Sequence, residues 1–419
     1  MFKGGYHPFG LNRRRAGILV LLGQLEMAEE MLRRDLAFAE AHGGDAVAAA
    51  SLKELANAVR LQGGFQEALD LAGRAMDLAG RAGDVGLGLE SLKVKGEALK
   101  YLGRTAEARR AFEEMLEAGR AGGGGASVRV ALGELGTILR LLGEYDAAQS
   151  CLEEYLSLAR LAGDARDEAV AMGALGVISA VKGDPGRAVE FFQRELSLAE
   201  RAGAALDVAS ALGHLGLARK ELGELEAARG LLERQLEMTL RSGDRAGASN
   251  AYGSLGMVDY LSGNHQGALA NYRRQLDICR EMGYLRGESI ALCNMASIHR
   301  DRGDLELAAE CYRRDVEICR EIGDRGELPE SLANLGVVCF EQGRPEEGEG
   351  LLRQAMALAT ETGNDFYLCR YLFQLAEQLF DGGRGPEARE LLDRAGEKAL
   401  ASGREAVSSD CLALRARMG

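Results

Sequence analysis

The chain has 419 residues, a formal net charge of −13, 47% hydrophobic residues, 5% aromatics and no tryptophan. Its acidic balance, with no basic stripe interleaved with aromatics, argues against nucleic acid as a partner. No apolar run is long enough to span a bilayer and no charged-then-apolar leader opens the sequence, so a cytoplasmic protein without membrane insertion is expected.

The segment Met1 to Pro8, followed by Phe9, carries Phe2 and Tyr6 without a polar cap. This apolar start leaves open self-association through a terminal repeat, or a chain that is a portion of a longer protein. From there glycine recurs every twenty residues, at Gly23, Gly43, Gly63, Gly83 and onward to Gly403. Helices commonly stop at a residue with positive φ, which glycine adopts at least cost, so this lattice marks evenly spaced helix ends. Each interval holds one helix of about sixteen residues and a short turn.

Two intervals make the repeat, because alternate glycines close different sequences, and the period is 40. Ten repeats fit within residues 1–403. Their first helices are expected near 8–22, 46–62, 86–102, 126–142, 166–182, 206–222, 246–262, 286–302, 326–342 and 366–381. Second helices follow at 25–42 and every 40 residues thereafter. Asp164, Asp184, Asp244, Asp304 and Asp324 follow their glycines as N-caps, with Pro185 at a first helical position. The glycine-rich Gly122 to Gly125 lacks the Lys-Ser or Lys-Thr of a phosphate loop and falls at an inter-repeat turn, which makes 121–127 a candidate hinge. Residues 404–419 suffice for one more helix, a C-terminal cap.

In this register Ala28, Ala68, Ala108, Ala148, Ala188, Ala228 and Ala268 are equivalent, and Gly96, Gly136, Gly176, Gly216 and Gly256 stand on the first helices. Small residues on both helices allow close approach, while Leu32, Phe112, Leu152, Phe192, Leu232 and Tyr272 fill the space beside them. The expected fold is all-α, a solenoid of about ten helix-turn-helix repeats. The eight cysteines show no C-x-x-C spacing, and Cys279 and Cys319 share a position held elsewhere by alanine, so they read as small core residues. The five histidines are scattered singly. No metal site, cofactor or catalytic constellation is expected.

The pattern L-G-x6-G-x4-A-x7-L-x2-A-x3-G-D, seen from Leu135 to Asp164, resembles the tetratricopeptide repeat in its 40-residue form. In style it is similar to the arrays of LGN/Pins cell-polarity adaptors, kinesin light chains and many bacterial signalling proteins. HEAT and armadillo repeats share the period, but the small pair twelve apart (Gly136 with Ala148) favours the tetratricopeptide kind. The resemblance implies a right-handed superhelical solenoid whose first helices line a concave face that holds a partner's extended or helical segment.

Within a first helix, Leu52, Leu55, Ala56 and Val59 read as buried, so Lys53, Asn57 and Arg60 point into the groove. The same register gives Arg13, then Lys93, Glu97 and Lys100, then Arg140, a basic N-terminal half. Further along stand Lys220, Tyr260 and Arg300, then Phe340, Glu377 and Phe380 beside Glu341 and Asp381. Between 301 and 381 there are eighteen acidic and eight basic residues, so the far end is acidic. This polarity points to an acidic segment or chain-terminal carboxylate docking near the N-terminal half, where lysine and arginine form strong charge-assisted bonds.

At the position of Leu19, Val59, Leu99 and Leu139, later repeats carry Ser179, Arg219, Asp259 and His299. A polar chain Arg219–Asp259–His299 across neighbouring first helices is expected, either as a structural network or as a ligand-contacting patch. The functional expectation is a non-catalytic scaffold or adaptor for a protein or peptide partner. Two alternatives are a regulatory or sensory subunit of a separately encoded enzyme and an end-to-end assembling structural element.

Overall fold

The computed structural model describes residues 9–21, 24–122, 124–401 and 405–417. Met1 to Pro8, Gly23, Gly123, Gly403 and residue 404 lie outside them. The first helices of the ten repeats are α1 (Phe9–Leu21), α3 (Gly44–Leu61), α5 (Val85–Tyr101), α7 (Gly125–Leu141), α9 (Ala165–Val181), α11 (Ala205–Glu221), α13 (Arg245–Leu261), α15 (Leu285–Asp301), α17 (Leu328–Glu341) and α19 (Asp365–Asp381). The second helices are α2 (Leu25–His42), α4 (Phe65–Ala82), α6 (Thr105–Ala121), α8 (Tyr145–Ala162), α10 (Pro185–Ala202), α12 (Leu225–Ser242), α14 (His265–Met282), α16 (Leu305–Glu321), α18 (Pro345–Glu361) and α20 (Gly385–Ala401), followed by α21 (Glu405–Arg417). Among the described residues there is no strand, so the fold class is the expected all-α repeat.

The lattice glycines do what the spacing requires. From Gly63 onward every described member of the series has positive φ, for example 66° at Gly163 and 82° at Gly183. At Gly43 the left-handed conformation moves to its neighbour: Gly43 has φ −100° and Gly44 has φ 72°, because α3 begins at once and the sequence offers two adjacent glycines. At the candidate hinge, the Gly124 amide donates to the Gly119 carbonyl at 2.9 Å, as Arg104 does to Leu99 at 3.0 Å.

Asp84, Asp164, Asp184 and Asp244 accept a bond from the third helical amide, at 2.9–3.0 Å, as true caps. Asp304 makes no such bond, since its carboxylate faces His299 and Arg302. Asp324 accepts from the amides of Gly326 and Glu327, which delays α17 until Leu328.

The hairpin seam is where sequence and packing meet most tightly. A Cβ built on Gly136 would lie 2.6 Å from Leu152, and one on Gly96 would lie 2.6 Å from Phe112; Gly176 faces Phe192 and Gly256 faces Tyr272 in the same way. The bulky residue of the second helix therefore lies flat on the bare backbone of the first, and Ala148 and Ala188 are fully buried beside it. Shape fit of this kind leaves little room for added volume.

The chain forms two compact units, Met1–Ala218 and Arg219–Gly419. In the N-terminal unit Leu52, Leu55, Phe112, Leu132 and Ile138 are fully or almost fully buried. In the C-terminal unit the core gathers Tyr272, Tyr371, Leu352 and Leu375, and α21 adds Cys411 and Leu414 to the cluster that holds Leu379 and Leu392. Cys279 and Cys319 are buried beside Ser249 and Ser289. Among the described residues no helix is long and apolar enough to cross a membrane.

Candidate partner-binding groove

In the N-terminal unit the sides of α3, α5 and α7 that turn away from the core line a concavity of about 520 Å³. Lys53, Asn57, Arg60 and Lys93, all expected groove residues, meet there. Carboxylates meet them. The Lys53 ammonium lies 2.8 Å from both Glu54 and Glu90, and Arg60 lies 3.1 Å from Glu97 and donates to Asn57 at 2.8 Å. Burial alone would lower the Lys53 pKa, but its hydrogen bonds to Glu54 and Glu90 outweigh that and raise it. Lys93 is the loosest, half-exposed and 3.9 Å from Glu97, and Lys100 donates to Glu134 at 2.6 Å.

The site is thus one of mixed charge. The sequence reading followed the cations and passed over Glu54, Glu90 and Glu134, which sit at the adjoining groove positions of the same and the next repeat. Arg13, half-buried on α1, is not among the residues lining this concavity.

A second concavity of about 310 Å³ lies across α7, α9 and α11 and has a different floor. Val170, Ala174 and Val177 of α9 pave it, and Gly173 leaves the backbone bare. Over Gly173 lies Glu195 of α10: a Cβ on that glycine would be 2.6 Å from Oε1. The Glu195 side chain is only 10% exposed, and its oxygens lie 3.2 and 3.3 Å from His214 Nδ1 on α11. The His214 ring also packs near Phe192, centroids 5.1 Å apart. Arg140, an expected groove residue, stands at the rim and has no ion-pair or hydrogen-bond partner among the described residues.

Glu195 and His214 are not legible from the small and bulky core positions that define the repeat. The signal was present: the position filled by Ala75, Met115, Ala355 and Ala395 carries Asp35, Tyr155, Glu195, Gln235, Gln275 and Asp315 in other repeats. Six of ten repeats place a polar group there, and Asp35, Glu195, Gln235, Gln275 and Asp315 are all buried.

In the C-terminal unit Lys220 lies 2.8 Å from Glu221, Tyr260 donates to Asp301 at 2.7 Å, and Arg300 pairs with Glu341 at 2.6 Å. The expected Arg219–Asp259–His299 chain is replaced by separate local pairs. Arg219 pairs with Glu224 in the following turn. Asp259, buried, accepts from Asn264 at 2.9 Å and Asn271 at 2.7 Å and lies 2.9 Å from Arg229. His299 Nδ1 is 3.6 Å from Asp304. These side chains lie near the ends of their first helices, where the following turn and second helix and, for Asp259, the preceding second helix supply the partners.

Comparison with known proteins agrees with the architecture. The family model described as tetratricopeptide repeat matches residues 89–161, 127–201, 207–281 and 287–361, together more than half of the chain, and a second tetratricopeptide repeat model matches 370–394. No curated protein matches the chain at a significant level. Among solved structures, the apo form of the quorum sensor NprR from B. thuringiensis is 14% identical, covering 80% of this chain and 96% of that one with a TM-score of 0.57. A Rap protein complexed with Competence and Sporulation Factor is 13% identical, covering 86% and 99% with a TM-score of 0.58. A signal transduction ATPase with a tetratricopeptide repeat sensor from Pyrococcus horikoshii is 14% identical with a TM-score of 0.59; the match covers 83% of this chain and 54% of that one, about half of its length. At these identities the likeness is one of fold, and with the matched models it establishes that the chain belongs to the tetratricopeptide repeat family.

Proposed function

We propose that the protein is a non-catalytic scaffold that holds an extended or helical segment of a protein partner on the face formed by its first helices. The observation that carries this reading is the concavity where Lys53, Asn57, Arg60 and Lys93 converge from α3 and α5. Asparagine can bond a peptide backbone as donor and acceptor, and the cations can take carboxylates of the partner in exchange for Glu54, Glu90 and Glu97. A preformed groove of this kind orders a partner's segment without ordering itself. The fold shared with a Rap protein in complex with Competence and Sporulation Factor, and with a quorum sensor, favours a sensory form of the same reading, in which the segment is a signalling peptide.

The test is a titration at low salt of the full chain with acidic fluorescent peptides. Wild type binds them, and Lys53→Glu with Arg60→Glu weakens binding about tenfold or more, as expected for lost charged hydrogen bonds. Equal binding by both proteins would remove this concavity from the function.

A further inference from the structure

The second concavity differs from the first in having an apolar floor, a buried anion at its centre and an uncommitted cation at its rim. The glycine is shared with the adjacent repeats, which carry Gly133, Gly213 and Gly253 at the same position, and Arg140 continues the cationic series of Arg60 and Lys100; what sets this place apart from the adjacent repeats is the carboxylate. Where the adjacent second helices α8 and α12 carry Tyr155 and Gln235, α10 carries Glu195. The bare backbone makes room for it, because any side chain at 173 would occupy the space of the Glu195 carboxylate, just as one at Gly253 would meet Gln275.

A carboxylate this buried needs several hydrogen-bond donors, and among the described residues His214 is the one side chain brought to it. Unused acceptor capacity facing an open cavity is a place for a ligand cation. Arg140, in the last turn of α7, supplies the opposite charge on the far side of Val177. Successive first helices run parallel, so seven positions of axial offset give roughly 10 Å along the helix. With one helix spacing of about 10 Å sideways, backbone positions 140 and 173 stand roughly 14 Å apart, the length of about four extended residues.

We propose that this concavity recognises a short peptide segment in which a lysine or arginine and an acidic residue, about four residues apart, flank a large apolar side chain. The basic group sits on Glu195, the apolar side chain covers Val170, Ala174 and Val177, and the acidic group pairs with Arg140. The proposal rests on the reading that partner segments bind the first-helix face, and it adds the chemistry of one subsite.

The experiment measures fluorescence anisotropy of the full-length chain with labelled peptides built on the core Lys-Ala-Leu-Ala-Glu and its reverse, since the cavity leaves chain direction open. Matched peptides replace Lys by norleucine, Leu by Ser, or Glu by Gln. The intact core binds, and each replacement weakens binding about tenfold or more. Glu195→Gln loses the preference for lysine but keeps that for glutamate, and Arg140→Met does the reverse, with both variants melting like wild type. Indifference of every peptide to both variants overturns the proposal, as does failure of the intact core to bind. If acidic peptides still bind and lose affinity only through Lys53→Glu with Arg60→Glu, the groove reading stands while this subsite falls. If the core binds with Glu195 and Arg140 dependence while that double variant binds acidic peptides normally, the subsite stands and the first concavity falls.

Discussion

Gly176 and Gly173 lie less than one turn apart on α9, yet they belong to regions governed by different rules. Gly176 is at the hairpin seam, where the ring of Phe192 rests on its backbone; Gly173 faces the concavity, where Glu195 reaches across it. The seam recurs along the chain as a small residue on the first helix facing an apolar, mostly bulky one on the second, as in Gly96 with Phe112 and Gly136 with Leu152. The open face changes from Lys53, Glu54 and Asn57 to Val170, Gly173 and Val177 within three repeats. A side chain in the seam is held on all sides by packing, whereas one on the face is held by ion pairs and hydrogen bonds that other polar groups can replace, so chemistry can vary there without loss of fold.

That contrast can be broken or sharpened in order of effect. Gly176→Leu should destabilise by about 1 to 3 kcal/mol or more through overpacking against Phe192, read as a lower thermal midpoint; an unchanged melt would refute the seam. Lys53→Glu with Arg60→Glu should leave helicity by circular dichroism intact while weakening acidic peptides about tenfold, and loss of fold would show that the face is not independent. Asp315 tests the intermediate case of a buried polar group. Burial raises its pKa despite hydrogen bonds from Ser289, Ser331 and Cys319. With the folded pKa above the unfolded one, its contribution is full below the unfolded value and is lost as pH rises through the folded value. Asp315→Asn should therefore raise stability at neutral pH, with a gain that shrinks toward pH 4; a gain independent of pH would assign the effect elsewhere. The smallest effect is Gly73→Ala, in the interior of α4 with nothing within 4 Å of the added Cβ, which should stabilise by about 0.5 to 1 kcal/mol. No rise in the melting midpoint would place an unseen constraint there.

The fold was readable because its determinants are local and repeated. Positive φ at a helix end is a property of one residue, and the twenty-residue spacing fixes helix length whatever lies opposite. Hence α9 and α10 run within about one residue of their expected limits, inside the ordinary uncertainty of helix boundaries. The groove was half readable. Register placed Lys53, Asn57, Arg60 and Lys93 on one face, but charge read along the chain hides that Glu90 and Glu97, one repeat later, neutralise them.

The sequence by itself determined the repeat, its helices, the seam and the family, because each follows from spacing and side-chain size within one hairpin. Only the tertiary structure decided the pairings: Asp259 with Asn264, Asn271 and Arg229 instead of Arg219 and His299, and Glu195 with His214 over Gly173. Those contacts join residues 5 to 30 positions apart across helix ends and neighbouring repeats. Which partner wins depends on distances of a few ångströms in space, and periodicity along the chain does not specify them.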